Sequence, residues 1–104
     1  MVYEVRTSFD NRESAELFAK AVVETHAAVS VHIKEVESIH YWDGRINNMT
    51  EYEIWCLTSN VKAIKMMIGL YHNYKMPEVI YHESKCSKEI EDWITGWCKD
   101  YRQR

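Results

Sequence analysis

Polar and apolar residues alternate from residue 2 to residue 8, which contain β-formers and read as a short first strand. Asp10 or Asn11 then stands where a helix N-cap is needed, and Asp10 with Glu13 has the spacing of a capping box. The run from Arg12 to about His26 is alanine-rich and puts Ala15, Phe18 and Val22 on one face, giving a helix of about four turns. From Ala28 to Trp42 the residues become β-branched and aromatic. Val29, Val31 and Ile33 share one parity, Val36 has the other, and Ile39 and Tyr41 return to the first. Two switches within one strand predict a bulge or bend around Lys34-Glu35-Val36-Glu37.

Asp43-Gly44 is a type I′ hairpin signal, because both central positions of that turn need positive φ. The strand after it starts polar (Asn47, Asn48, Thr50), then alternates Tyr52, Ile54 and Cys56 with Glu53, Trp55 and Leu57. Asn60 caps a second helix carrying Val61, Ile64, Ile68 and Tyr71 at helical spacing. Tyr74 to Pro77 breaks it, and Val79-Ile80-Tyr81 makes a short fourth strand. Ser87 begins a last helix with an apolar stripe of Ile90, Trp93, Ile94, Trp97 and Tyr101. Its acidic start (Glu89, Glu91, Asp92) and basic end (Lys99, Arg102) suit the helix dipole. The order βαββαβ plus a terminal helix predicts an α+β, ferredoxin-like sandwich with a long hairpin between its second and third strands. Residues 1–104 are expected to form a single domain.

The hairpin is long for such a body. A compact domain of this size has a radius of gyration of ~13 Å, hence a diameter of ~33 Å. A strand from Ala28 to Trp42 would extend over ~45–50 Å at the usual rise per residue. It must bend back on its own domain or leave it. Outside, Ile39, Tyr41, Trp42 and Ile46 would form an exposed edge that a neighbouring subunit could cover. The second course predicts a homo-oligomer built by strand augmentation.

A formal net charge of −3 argues against nucleic-acid binding; the one basic cluster, Lys99, Arg102 and Arg104, is at the C-terminal end. Cys56, Cys86 and Cys98 form no CxxC pair and leave an odd thiol, as expected for reduced cysteines in a cytoplasmic protein. The start of the chain has no secretory pattern, and no apolar run approaches the ~18 residues of a membrane span, so a cytoplasmic protein without membrane contact is expected.

Ligand-type side chains gather around one turn: His72, Glu78, His82 and Glu83. Imidazole with carboxylate suits Cu(II), Zn(II) or Ni(II). His82 and Glu83 must face opposite ways on a strand, however. His72 near a helix end could instead cap carbonyls, and Glu78 could pair with a cation. His32 and His40 share one face of the long strand and could line an intersubunit pocket for a small anion, or simply be solvated. Tyr41 and Trp42 are expected interface anchors, and Trp93 and Trp97 packing or interface residues. No nucleophile elbow, phosphate loop or HExxH appears, so no enzyme is expected.

Several segments together resemble the CutA family of divalent-cation-tolerance proteins. Ala19-Lys20-Ala21-Val22-Val23-Glu24 with Ala27-Ala28 is similar to its A-x-x-L-V-E…A-A helix ending. Ser38-Ile39-His40-Tyr41-Trp42-Asp43-Gly44-Arg45-Ile46 is similar to its S-I-Y-x-W-x-G-K-I hairpin. His72-Asn73-Tyr74-Lys75-Met76-Pro77-Glu78-Val79 and Asp92-Trp93-Ile94 resemble its H-P-Y-x-x-P-E-I and D-W-L segments. The resemblance implies a PII-like homotrimer of ferredoxin-like subunits, with a role in tolerance to copper and other divalent ions. It also suggests an alternative, a sensor of small anions or nucleotides that signals through clefts between subunits. Val29 stands where the family has a cysteine, Thr7-Ser8 where some relatives carry a thiol, Leu57 for a lysine, and Asn73 for a proline. These departures weigh against metal binding of the thiolate kind.

Overall fold

The computed structural model describes residues 1–72 and 74–102; Asn73, Gln103 and Arg104 lie outside it. The turn position of Asn73 and the last member of the basic C-terminal cluster are therefore outside the described residues. The elements are β1 (Val2–Phe9), α1 (Arg12–Glu24), β2 (Ser30–Trp42), β3 (Arg45–Thr58), α2 (Val61–Tyr71), β4 (Ile80–Ser84) and α3 (Lys88–Cys98). The strands form one antiparallel sheet in the order β2-β3-β1-β4, the ferredoxin-like topology.

One face of the sheet carries α1 and α2. Val5, Phe9, Ile54 and Cys56 meet Ala15, Phe18, Val22, Ile64 and Ile68 there, all essentially inaccessible to solvent. The opposite face is open except at one end, where α3 lays Ile94 and Cys98 against Val2, Leu57 and Val29. The broad stripe expected on α3 is thus only half used: Ile94 is buried, whereas Ile90 and Trp93 are exposed.

Caps set the helix starts. Asn11, not Asp10, caps α1, its side-chain oxygen accepting the Ser14 N–H at 2.8 Å. Asn60 accepts the Ala63 N–H at 3.0 Å, and Ser87 the Ile90 N–H at 3.3 Å. Helix α1 stops at Glu24, and His26 takes the left-handed conformation (φ 68°) beyond it. The His26 ring lies flat on Trp97, with centroids 3.6 Å apart, and its Nδ1 is 2.8 Å from the Trp97 carbonyl. The Trp97 indole N–H donates to the Val23 carbonyl at 3.2 Å. The stack fastens the end of α3 to the end of α1 and gives the indole donor its partner.

The hairpin corrects one expectation. β2 and β3 pair without interruption from Ser30↔Leu57 to Trp42↔Arg45, with no bulge at Lys34–Glu37. Val36 simply faces the open side, across from Glu51. Glu35 and Glu37 are polar on the other side because the hairpin has run past α1 and the core against which Val31 and Ile33 are partly buried. The turn itself matches expectation, with positive φ at Asp43 (52°) and Gly44 (83°). Its far end carries Ile39, Tyr41 and Ile46, each about 70% exposed, and Trp42 at 51%. The molecule is accordingly 44 Å long but only 19 Å thick.

Candidate functional site

Alternation along β1 turns Val5, Thr7 and Phe9 into the core and Glu4, Arg6 and Ser8 onto the open face. Register brings Leu57, Trp55 and Glu53 alongside from β3, and His82 and Ile80 from β4. One strand further lie Ser30, His32 and Lys34 of β2. A polar patch built around one tryptophan results.

Glu4 is its centre. Its Oε1 accepts from the Ser84 hydroxyl at 2.8 Å and lies 3.1 Å from His82 Nε2. These partners hold the carboxyl below its ordinary range: the Ser84 hydrogen bond contributes most, burial opposes it, and His82 and the charge of His32 add to it. A hollow of about 70 Å³ opens beside Glu4, walled by Ser30, His32, Trp55 and Leu57. That is well above the ~10–15 Å³ one water requires. Trp55 presents its ring to two neighbours in the patch. The Arg6 guanidinium lies 5.6 Å from its centroid, and the His82 ring meets it edge-on at 6.0 Å. Its indole N–H donates to Glu53 at 2.7 Å.

The expected metal ligands are distributed differently. His72 Nε2 is bonded to the Ser8 carbonyl, and its Nδ1 accepts the Tyr74 N–H at 3.2 Å. Both nitrogens are used, in a neutral ring stacked 4.4 Å from Phe9, so no lone pair remains for a cation. The histidine pins the end of α2 to the end of β1. Glu78 lies 3.2 Å from Arg6 Nε, off the hydrogen-bond axis, and accepts from the Ser8 hydroxyl at 3.4 Å. His72 and Glu78 therefore converge on the two sides of Ser8, while His82 belongs with Glu4 further along the strands. Glu83 pairs across from Tyr3, on the face opposite His82. Among the described residues no three His, Cys, Asp or Glu side chains are grouped to hold a metal ion.

The remaining expected residues separate by face. His32, His40 and Trp42 lie on the open side, with His40 Nδ1 3.0 Å from the Ser38 hydroxyl, and Tyr41 lies on the other. Trp93 stays half exposed, whereas Trp97 is engaged by His26 and Val23. Sequence reasoning missed Glu4, Arg6 and Trp55. The parity of the first strand does put Glu4 and Arg6 on one face, but nothing local reveals that β4 pairs with β1 and brings His82 to Glu4.

A ferredoxin-like domain with an overlong hairpin and a polar open sheet face is the class that these features define. Residues 3–96 match the family described as CutA1 divalent ion tolerance protein, and the chain belongs to that family. A probable divalent-cation tolerance protein cutA homolog from Encephalitozoon cuniculi is 28% identical over 104 residues, spanning 97% of this chain and 91% of that protein. The divalent-cation tolerance protein CutA of Archaeoglobus fulgidus is 29% identical over 85 residues, spanning 79% of this chain and 83% of its own. The structure titled as the periplasmic divalent cation tolerance protein CutA from Archaeoglobus fulgidus superposes with a TM-score of 0.89 at 25% identity, covering 94% of this chain and 99% of that one. The Thermus thermophilus divalent cation tolerance protein gives 0.82 at 27% identity, covering 90% and 95%.

Proposed function

We propose that the protein acts in divalent-ion tolerance as a homotrimer that binds Cu(II) or another divalent cation weakly where subunits meet, without catalysing a reaction. The observation that carries this reading is the Glu4–His82 pair on the open face, with His32 near enough to act on the Glu4 charge. Carboxylate and imidazole form a donor set for Cu(II), Zn(II) or Ni(II), and both side chains are about half exposed. One subunit supplies only two adjacent donors, so a further donor must come from a second subunit or from water, and affinity is correspondingly modest. His72 and Glu78 hold the fold around Ser8 rather than the ion.

Calorimetric titration with Cu(II) tests the assignment. His82→Ala and Glu4→Gln are expected to lower the affinity at least tenfold, and His72→Ala to leave it unchanged in whatever fraction stays folded. Equal binding by the wild type and both open-face variants would remove the site.

A small-anion sensor is a second reading of the same face, supported by the hollow beside His32 and by Arg6 over Trp55. A thermal-shift series of nucleotides and organic acids supports it if one stabilises the protein near physiological concentration, and opposes it if none does. Three free thiols, two of them buried, support a cytoplasmic location.

A further inference from the structure

Arg6 stands two residues beyond Glu4 on β1, so both side chains leave the same face of the sheet, about 6.6 Å apart along the strand. The Arg6 Nε–H is buried and donates no hydrogen bond among the described residues. Glu78 is 3.2 Å away but off the N–H axis, and the same carboxylate oxygen accepts from the Ser8 hydroxyl. A buried donor without an acceptor is costly, and a native structure usually answers it with a partner. The partner that suits a guanidinium best is a carboxylate, which its planar fork of N–H groups can grip with two oxygens at once.

Charge decides when such a ligand is welcome. Around Arg6 the carboxylates of Glu4, Glu53 and Glu78 face the cations of Arg6 and Lys34, an excess of negative charge. A free anion therefore gains little from this face as it stands. A divalent cation at Glu4 and His82 reverses the sign, and a bound ion is then the largest local charge. That ion also lacks donors: the chain offers it one carboxylate and one imidazole, whereas Zn(II), for example, takes four ligands.

Trp55 connects the two places. Its ring adjoins the Arg6 guanidinium at 5.6 Å and the His82 ring at 6.0 Å, so one indole neighbours both polar ends. The apolar face of the indole suits a short carbon chain running between two anionic ends.

We propose that Arg6 holds one carboxylate of a small dicarboxylic acid whose other carboxylate ligates the divalent ion at Glu4 and His82, so that ion and acid bind as a pair. The acid fills a coordination position otherwise left to water, and each ligand raises the affinity for the other by the same factor. The inference rests on the divalent-ion reading of Glu4 and His82, and adds the chemical class of a second ligand and the residue that recognises it.

Calorimetric titration of the full chain with Cu(II), with and without succinate, tests it. Wild type, Arg6→Gln and Arg6→Lys are compared in the same two buffers, so that copper held by free succinate cancels between them. Succinate is expected to raise the affinity of the wild type for Cu(II) about fivefold or more relative to its effect on Arg6→Gln. Arg6→Lys keeps the charge and the aliphatic stem, which preserves the fold, but loses the planar fork, and is expected to lose most of the gain. Acetate, with a single carboxylate, is expected to give none. Equal effects of succinate on the wild type and the Arg6 variants would overturn the inference and leave the ion site standing. Succinate binding equally well without copper would overturn the pairing and favour the anion-sensor reading. A wild type that binds no copper in either buffer would overturn the ion reading and this inference with it.

Discussion

The Glu4 carboxylate illustrates how much a residue's role depends on partners distant in sequence. Ser84 and His82 lie some eighty positions away, yet they hold its charge in place and its pKa below the usual range. A carboxyl depressed in the folded state adds stability above its unfolded pKa of about 4.5, and that contribution fades as pH falls through the lowered folded value. Glu4→Gln is therefore expected to lower the urea midpoint at pH 7 and to be indistinguishable from the wild type at pH 2. An equal offset at both pH values would show that the loss is steric. The cysteines differ as sharply. Burial pushes the Cys56 thiol up to about 12, Cys98 is enclosed beside Thr58 and the Ala27 carbonyl, and Cys86 is open to solvent. Maleimide at neutral pH should label one thiol per native chain, at Cys86, and all three only after unfolding, as mass spectrometry would show. Ligand-type residues were legible in the sequence by type, and His72, Glu78 and His82 looked like one group because they share a turn. Tertiary pairing splits them, since His72 is committed to Ser8 and Tyr74, and His82 to Glu4.

Elements were more legible than contacts. Asn60 announces α2, and it does cap the helix through the Ala63 N–H. Asn60→Ala should lower stability by about 1 kcal/mol, measured by chemical denaturation, with the fold retained. Asp43-Gly44 announces the hairpin turn, and both residues adopt positive φ. A Cβ at Gly44 would meet nothing, so Gly44→Ala tests backbone preference alone. A cost of about 1–2 kcal/mol is expected at that φ, felt in whatever state orders the tip. The parity switches of β2 misled for a physical reason. Alternation reports which face is buried, and here the burying surface changes along the strand. Helix α1 covers its first part, while the far part has no cover within the chain, so polarity shifts without any bulge. The same change of surroundings left the paired edges illegible: nothing within β4 says that it joins β1, or that its other edge stays free.

At the scale of the molecule, length is the decisive quantity. A sheet of four strands under two helices makes a compact body, yet the longest dimension is 44 Å, and the hairpin carries Ile39, Tyr41, Trp42 and Ile46 out to its unprotected end. Aromatic and aliphatic residues on a long exposed strand invite association, and a closed assembly satisfies them where an open one would aggregate. Under the proposed function, the open face needs a second subunit or water to complete the donor pair of Glu4 and His82. The fold was thus legible from strand length and turn chemistry, and the homotrimer expected from the same length stands as a proposal, while the pairing of Glu4 with His82 needed the register of the strands. Light scattering coupled to size exclusion, on the full chain at micromolar concentration, tests this most directly. The account predicts three subunit masses in one symmetric peak, and a peak of one subunit mass with the hairpin exposed would contradict it.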